Sequence, residues 1–175
     1  NYEQIDLIGN EFDYDAIRER VAKQNIKLII MQRSKGYALR KSLSLESIEK
    51  VVRTIREVNK DVWIMCDNCY GEFTEKLEPT DVGADLVIGS LLKNMGGGIA
   101  PTGGYIAGKS ELIELISYKM TSPALGVDIG SYEPGYKSFF QGLFVSPHVV
   151  AEAKKLVALT CSVMNRMGYE TVPKL

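Results

Sequence analysis

The stretch that decides the fold is Trp63-Ile64-Met65-Cys66-Asp67-Asn68-Cys69-Tyr70-Gly71-Glu72-Phe73. A short apolar run ends abruptly in a carboxylate, and polar and Gly residues follow it. That is how a buried strand delivers a side chain to its carboxyl edge. Two more apolar runs end the same way: Leu28-Ile29-Ile30-Met31 runs into Gln32, Arg33 and Ser34, and Leu86-Val87-Ile88-Gly89 into Ser90, with Lys93 three residues on. The first of these runs reads as a strand buried on both faces.

Helical periods separate the runs. Tyr14, Ile17 and Val21 share a face behind a candidate cap at Asp13. Leu45, Ile48, Val51, Val52, Ile55 and Val58 repeat at helical spacing behind Ser44. Residues 103–108 form a further short strand with Gly at its margins, and Ser110 opens a helix to about Met120. Residues 121–146 are rich in Gly, Pro and aromatics, and residues 147–167 make a long amphipathic helix ended by Gly168. This alternation predicts a three-layer α/β/α domain over residues 1–175, with a mostly parallel sheet and helices on both faces. Ligands of such sheets bind at the strands' carboxyl ends, where Arg33, Ser34, Asp67, Asn68, Tyr70, Ser90 and Lys93 fall.

Composition sets the bounds. Of 175 residues 45% are hydrophobic and 25% charged, with 21 Lys and Arg against 22 Asp and Glu. The net charge of -1 argues against nucleic-acid partners, which demand a surplus of cations, and points to small molecules or other proteins. No apolar run is long enough to span a bilayer, and three cysteines make no secreted disulfide framework, so a cytoplasmic protein is expected. The lone His148 and scattered acids give no metal site. Cys66 and Cys69 match a Cys-x-x-Cys pattern without a helix to lower a thiol pKa, so packing is the better reading. Tyr132, Tyr136, Phe139 and Phe140 crowd together as though meeting another subunit or segment. The absence of an initial Met and the closing Pro-Lys-Leu suggest a piece of a longer protein.

The motifs taken together resemble a known group. Asp67-Asn68-Cys69-Tyr70-Gly71-Glu72-Phe73, Gly83-Ala84-Asp85-Leu86 and Ser90-Leu91-Leu92-Lys93-Asn94 are similar to the pyridoxal-phosphate enzymes of cysteine and methionine metabolism, with the aspartate-aminotransferase fold (fold type I). With Gln32-Arg33-Ser34-Lys35-Gly36-Tyr37 and Gly96-Gly97-Gly98, the likeness narrows to the methionine gamma-lyase-like family linked to aluminium resistance.

The resemblance implies that the chain is the central part of the large, cofactor-binding domain. It implies Lys93 as the Schiff-base lysine and proton-transfer base, Asp67 as partner of the pyridine nitrogen, Ser90 as phosphate ligand, and Tyr70 and Asn68 as further cofactor contacts. Arg33 and Ser34 become candidates for a substrate or cofactor anion. A lysine at a strand end would be partly desolvated, which lowers its pKa and suits that role. Leu92 departs from the pattern, since many relatives carry a second phosphate-binding hydroxyl there. The implied activity is carbon–sulfur elimination from a sulfur-containing amino acid by a homodimer or homotetramer. An aminotransferase of the same fold, or a non-catalytic stress-response protein retaining it, are the alternatives.

Overall fold

The computed structural model describes residues 2–23, 25–120, 123, 125–129 and 134–174. Four strands, β1 (Leu28–Gln32), β2 (Trp63–Asp67), β3 (Leu86–Ser90) and β4 (Gly104–Gly108), form one sheet in sequence order. The first three run parallel, and β4 pairs antiparallel with β3. Their helices are α1 (Tyr14–Lys23), α2 (Leu45–Val58), α3 (Ser110–Met120) and α4 (Lys137–Arg166). The fold is therefore α/β with a mostly parallel sheet.

Local chemistry accounts for the boundaries. Ser44 accepts a hydrogen bond from the Ser47 amide and opens α2; Asp13 does the same for α1 through the Ala16 amide. The apolar stripe of α2 (Leu45, Ile48, Val51, Val52, Ile55) meets Val21 of α1 and Met31, Ile64 and Cys66 of the sheet in one buried cluster. Because successive strand residues alternate faces, the other face of β1 carries Leu28 and Ile30. They are 44% and 58% exposed, so among the described residues β1 is covered on one side only, without the expected second helical layer. An uninterrupted apolar run fits a strand buried on both faces, but periodicity alone cannot show that a second cover is present.

Helix α4 is the larger correction. It begins at Lys137, ten residues before the predicted start, and Pro147 lies inside it. Proline lacks an N–H for the preceding turn. Here the neighbouring Ser146 hydroxyl turns back onto the Gly142 carbonyl and across to the Met95 carbonyl. His148 is thus an exposed mid-helix residue. At Gly142 the helix crosses the Gly-rich turn backbone to backbone: a Cβ there would overlap the Gly96 carbonyl. Gly97 serves the same crossing, since a Cβ there would overlap the Gly142 carbonyl, whereas Gly98 has open space around it. Tyr136 and Phe139 pack on each other at 6.0 Å between ring centroids, and Phe140 is exposed; Tyr132 lies outside the described residues. No helix among the described residues is long and apolar enough to cross a membrane.

Candidate functional site

The parallel ladder brings Asp67 and Ser90 to the same edge. Asp67 stands opposite Ile88 in the β2–β3 register, and the Asn68 amide continues the ladder by donating to the Ile88 carbonyl at 2.9 Å. An open cleft of about 390 Å³ lies there, lined by Asp67, Cys69, Ile88, Ser90, Tyr105 and Met120 among others. The half-buried Asp67 carboxylate accepts from the Cys69 amide at 3.0 Å, which fixes its direction. Ser90 turns the chain after β3: its hydroxyl accepts from the Leu92 amide at 3.2 Å, and its carbonyl accepts from the Lys93 amide at 3.2 Å. That turn presents Lys93 at the rim, with Nζ beside the Cys69 thiol and 4.7 Å from the centre of the Tyr70 ring.

The electrostatics of Lys93 run against the sequence-based expectation. Its pKa is raised: the bond with Cys69, aided by the charges of Cys69, Tyr70 and Asp67, outweighs the lowering effect of burial. Burial raises both thiols, that of Cys66 to about 12, and Cys66 points into the core while Cys69 faces the cleft. Both are free cysteines.

The other candidates divide. Tyr70 sits at the rim, 61% exposed, with φ of 68°. Arg33 does not face the cleft with a free guanidinium. It is 4% exposed, and each of its three nitrogens is engaged: Nε with the Leu43 carbonyl at 3.3 Å, Nη1 with Asn68 Oδ1 and the Gly71 carbonyl, and Nη2 with the Glu75 carboxylate. The expectation of an anion-binding arginine is corrected accordingly; these donors tie the ends of β1 and β2 together. Asn68, 1% exposed, completes the tie by donating to Glu78 at 2.7 Å, so its amide is spent on the scaffold. Ser34 lies in the 33–42 loop, where its carbonyl accepts from Arg40 at 2.7 Å and its hydroxyl from Gln32 at 3.4 Å.

Sequence reasoning missed Glu72 and Tyr105. The Tyr105 hydroxyl donates to Glu72 Oε1 at 2.8 Å, and Gly89 has no side chain because a Cβ there would overlap both groups. The residues are 33 apart in sequence, and no local spacing announces such a pair.

An acid, a hydroxyl and an amine thus stand at adjacent strand ends of a mostly parallel α/β sheet, the class of fold whose ligands bind at that edge. Within that class the chain belongs to the methionine gamma-lyase family, whose model matches residues 1–175. The uncharacterized protein YnbB of Bacillus subtilis is 43% identical over 99% of this chain and 41% of its own length. Among solved structures, a Clostridium acetobutylicum protein provisionally named a cystathionine beta-lyase involved in aluminum resistance is 46% identical, with a TM-score of 0.93 over 99% of this chain and 41% of its own. A carbon-sulfur lyase involved in aluminum resistance from Clostridium novyi is 43% identical, with a TM-score of 0.91 and the same coverage. The chain thus spans about two fifths of the length of these relatives.

Proposed function

We propose that the full-length protein is a pyridoxal-phosphate-dependent carbon–sulfur lyase acting on a sulfur-containing amino acid, and that this chain carries its cofactor-holding part. The observation that supports this most is the convergence of two segments, Asp67 at the end of β2 and the Ser90–Lys93 turn after β3, on one cleft, which Asp67 and Ser90 line and beside which Lys93 meets Cys69. The donor set suits the cofactor: a carboxylate for a protonated ring nitrogen, a hydroxyl for a phosphate oxygen and an amine for an aldehyde. A cleft of about 390 Å³ falls within the range of small-molecule sites, roughly 300–1,000 Å³.

When bound, the cofactor supplies an aldehyde and an electron-poor ring that stabilises negative charge at the substrate Cα. Asp67, aimed by the Cys69 amide, keeps a proton on the ring nitrogen. Its burial is offset by that cationic partner, since an unpaired buried carboxylate costs several kcal/mol. Ser90 donates its hydroxyl to the phosphate. Lys93 moves the proton at Cα and then at Cβ, so that a sulfur leaving group departs from Cγ. Tyr70, whose ring centre lies 4.7 Å from the Lys93 ammonium, would offer its hydroxyl to the ring hydroxyl.

We further propose a homodimer or homotetramer as the working unit, a reading supported by the exposed Phe140, Phe144 and Leu156 along α4. The test of function is an assay of the purified full-length protein with pyridoxal phosphate and a panel of sulfur-containing amino acids. Release of ketoacid, ammonia and thiol, abolished in Lys93→Ala, is expected. Amino-group transfer to a ketoacid acceptor without thiol release would replace the lyase by an aminotransferase.

A further inference from the structure

Glu72 is 0% exposed, and its Oε2 is the one buried side-chain polar atom without a partner among the described residues. Its Oε1 accepts from Tyr105, which lines the cleft. Its main-chain carbonyl accepts from Asn94 Nδ2 at 3.0 Å, and Asn94 follows Lys93 directly. The same residue therefore touches the β4 wall of the cleft and the turn that carries the lysine. No salt bridge among the described residues reaches it. Around it stand Tyr105 of β4, Cys66 of β2, Glu78 from the segment after β2 and the backbone of Tyr70. A carboxylate in that place would be a buried charge beside a second acid with no cation to answer it, which is far costlier than burying the neutral form.

We propose that Glu72 is held as a neutral carboxylic acid beneath the cleft, where its carboxyl positions Tyr105 while its main-chain carbonyl holds Asn94 beside Lys93. Burial, with Glu78 adding to it, raises the Glu72 pKa, in agreement with the geometry. The absent side chain of Gly89 provides the space for the pair. Glu72 is a positioning residue, since it reaches the cleft only through its neighbours. Only the consequence for Lys93 rests on the proposed function.

The sign of the pH dependence follows. A carboxyl whose folded pKa is raised binds a proton in the folded state that the unfolded chain has already released, so stability declines as pH climbs from the ordinary Glu range, about 4.3, toward the folded value. The test compares full-length wild type, Glu72→Gln and Glu72→Ala. The wild type minus Gln infrared difference spectrum at neutral pH should contain the carbonyl band of a protonated carboxyl. The wild-type Tm should fall with rising pH relative to Glu72→Gln, and Glu72→Ala should weaken pyridoxal-phosphate binding several-fold while Gln preserves it.

A carboxylate band in place of the carbonyl band, parallel pH profiles for wild type and Gln, or a Gln variant that fails to fold would each overturn the proposal. A protonated-carboxyl band without any cofactor attachment at Lys93 would remove the functional reading and leave this one intact.

Discussion

At the scale of single residues, two buried acids beside the sheet, Glu72 and Asp85, are handled in opposite ways. Asp85, 2% exposed, meets Arg56 at 2.5 Å, Lys109 at 2.7 Å and the Ile64 amide at 2.7 Å. Burial alone would raise its pKa, but Lys109, the Ile64 amide and Arg56 outweigh it and hold the carboxyl below its usual range. Its contribution is thus complete above the unfolded value, about 3.9, and is lost as pH falls through the lower folded one. Asp85→Ala should destabilise the full-length protein by about 3 kcal/mol, the low end for a broken buried pair because Lys109 is half exposed, as measured by urea unfolding at neutral pH.

Lys93 supplies a second test at this scale. Its raised pKa leaves the ammonium dominant at neutral pH, so pyridoxal phosphate should attach faster as pH rises, approaching tenfold per pH unit for a single deprotonation. Because Cys69 is the largest cause of the shift, Cys69→Ala should speed attachment at neutral pH; stopped-flow absorbance reads both. An unchanged rate in Cys69→Ala would show that the thiol does not govern the amine.

Among elements, the contact between α4 and the Gly-rich turn is the most demanding. Ala is favoured over Gly inside a helix by about 1 kcal/mol, so Gly142→Ala would stabilise an isolated α4. Here the added carbon overlaps the Gly96 carbonyl, and overpacking of this kind costs typically 1–3 kcal/mol. The net effect expected from urea unfolding is a loss. Ser44→Ala should cost about 1 kcal/mol through the lost cap on α2.

The same elements show what the sequence reveals. Ser44, Asp13 and the α2 stripe are local signals, and the structure follows them closely. The start of α4 is hidden because Pro147 reads as a helix start until Ser146 is seen bridging to Gly142 and Met95. The open face of β1 was hidden too, since Leu28 and Ile30 are apolar whether covered or bare.

For the whole molecule, the site is split between what spacing can show and what only tertiary structure assembles. Asp67, Ser90 and Lys93 are legible because each directly follows an apolar run or turn, and a parallel sheet must bring such positions to one edge. Arg33 was misread because a strand-end cation looks the same in sequence whether it awaits an anion or ties two loops. Glu72 and Tyr105 meet across 33 residues, a distance that no periodicity encodes.

The central claim, that this edge holds pyridoxal phosphate through Lys93, is tested most directly by borohydride reduction of the full-length protein loaded with the cofactor, followed by peptide mass mapping. The expected result is a pyridoxyl adduct on the peptide containing Lys93 and its absence in Lys93→Ala. An unmodified Lys93, or an adduct confined to surface lysines, would contradict the account.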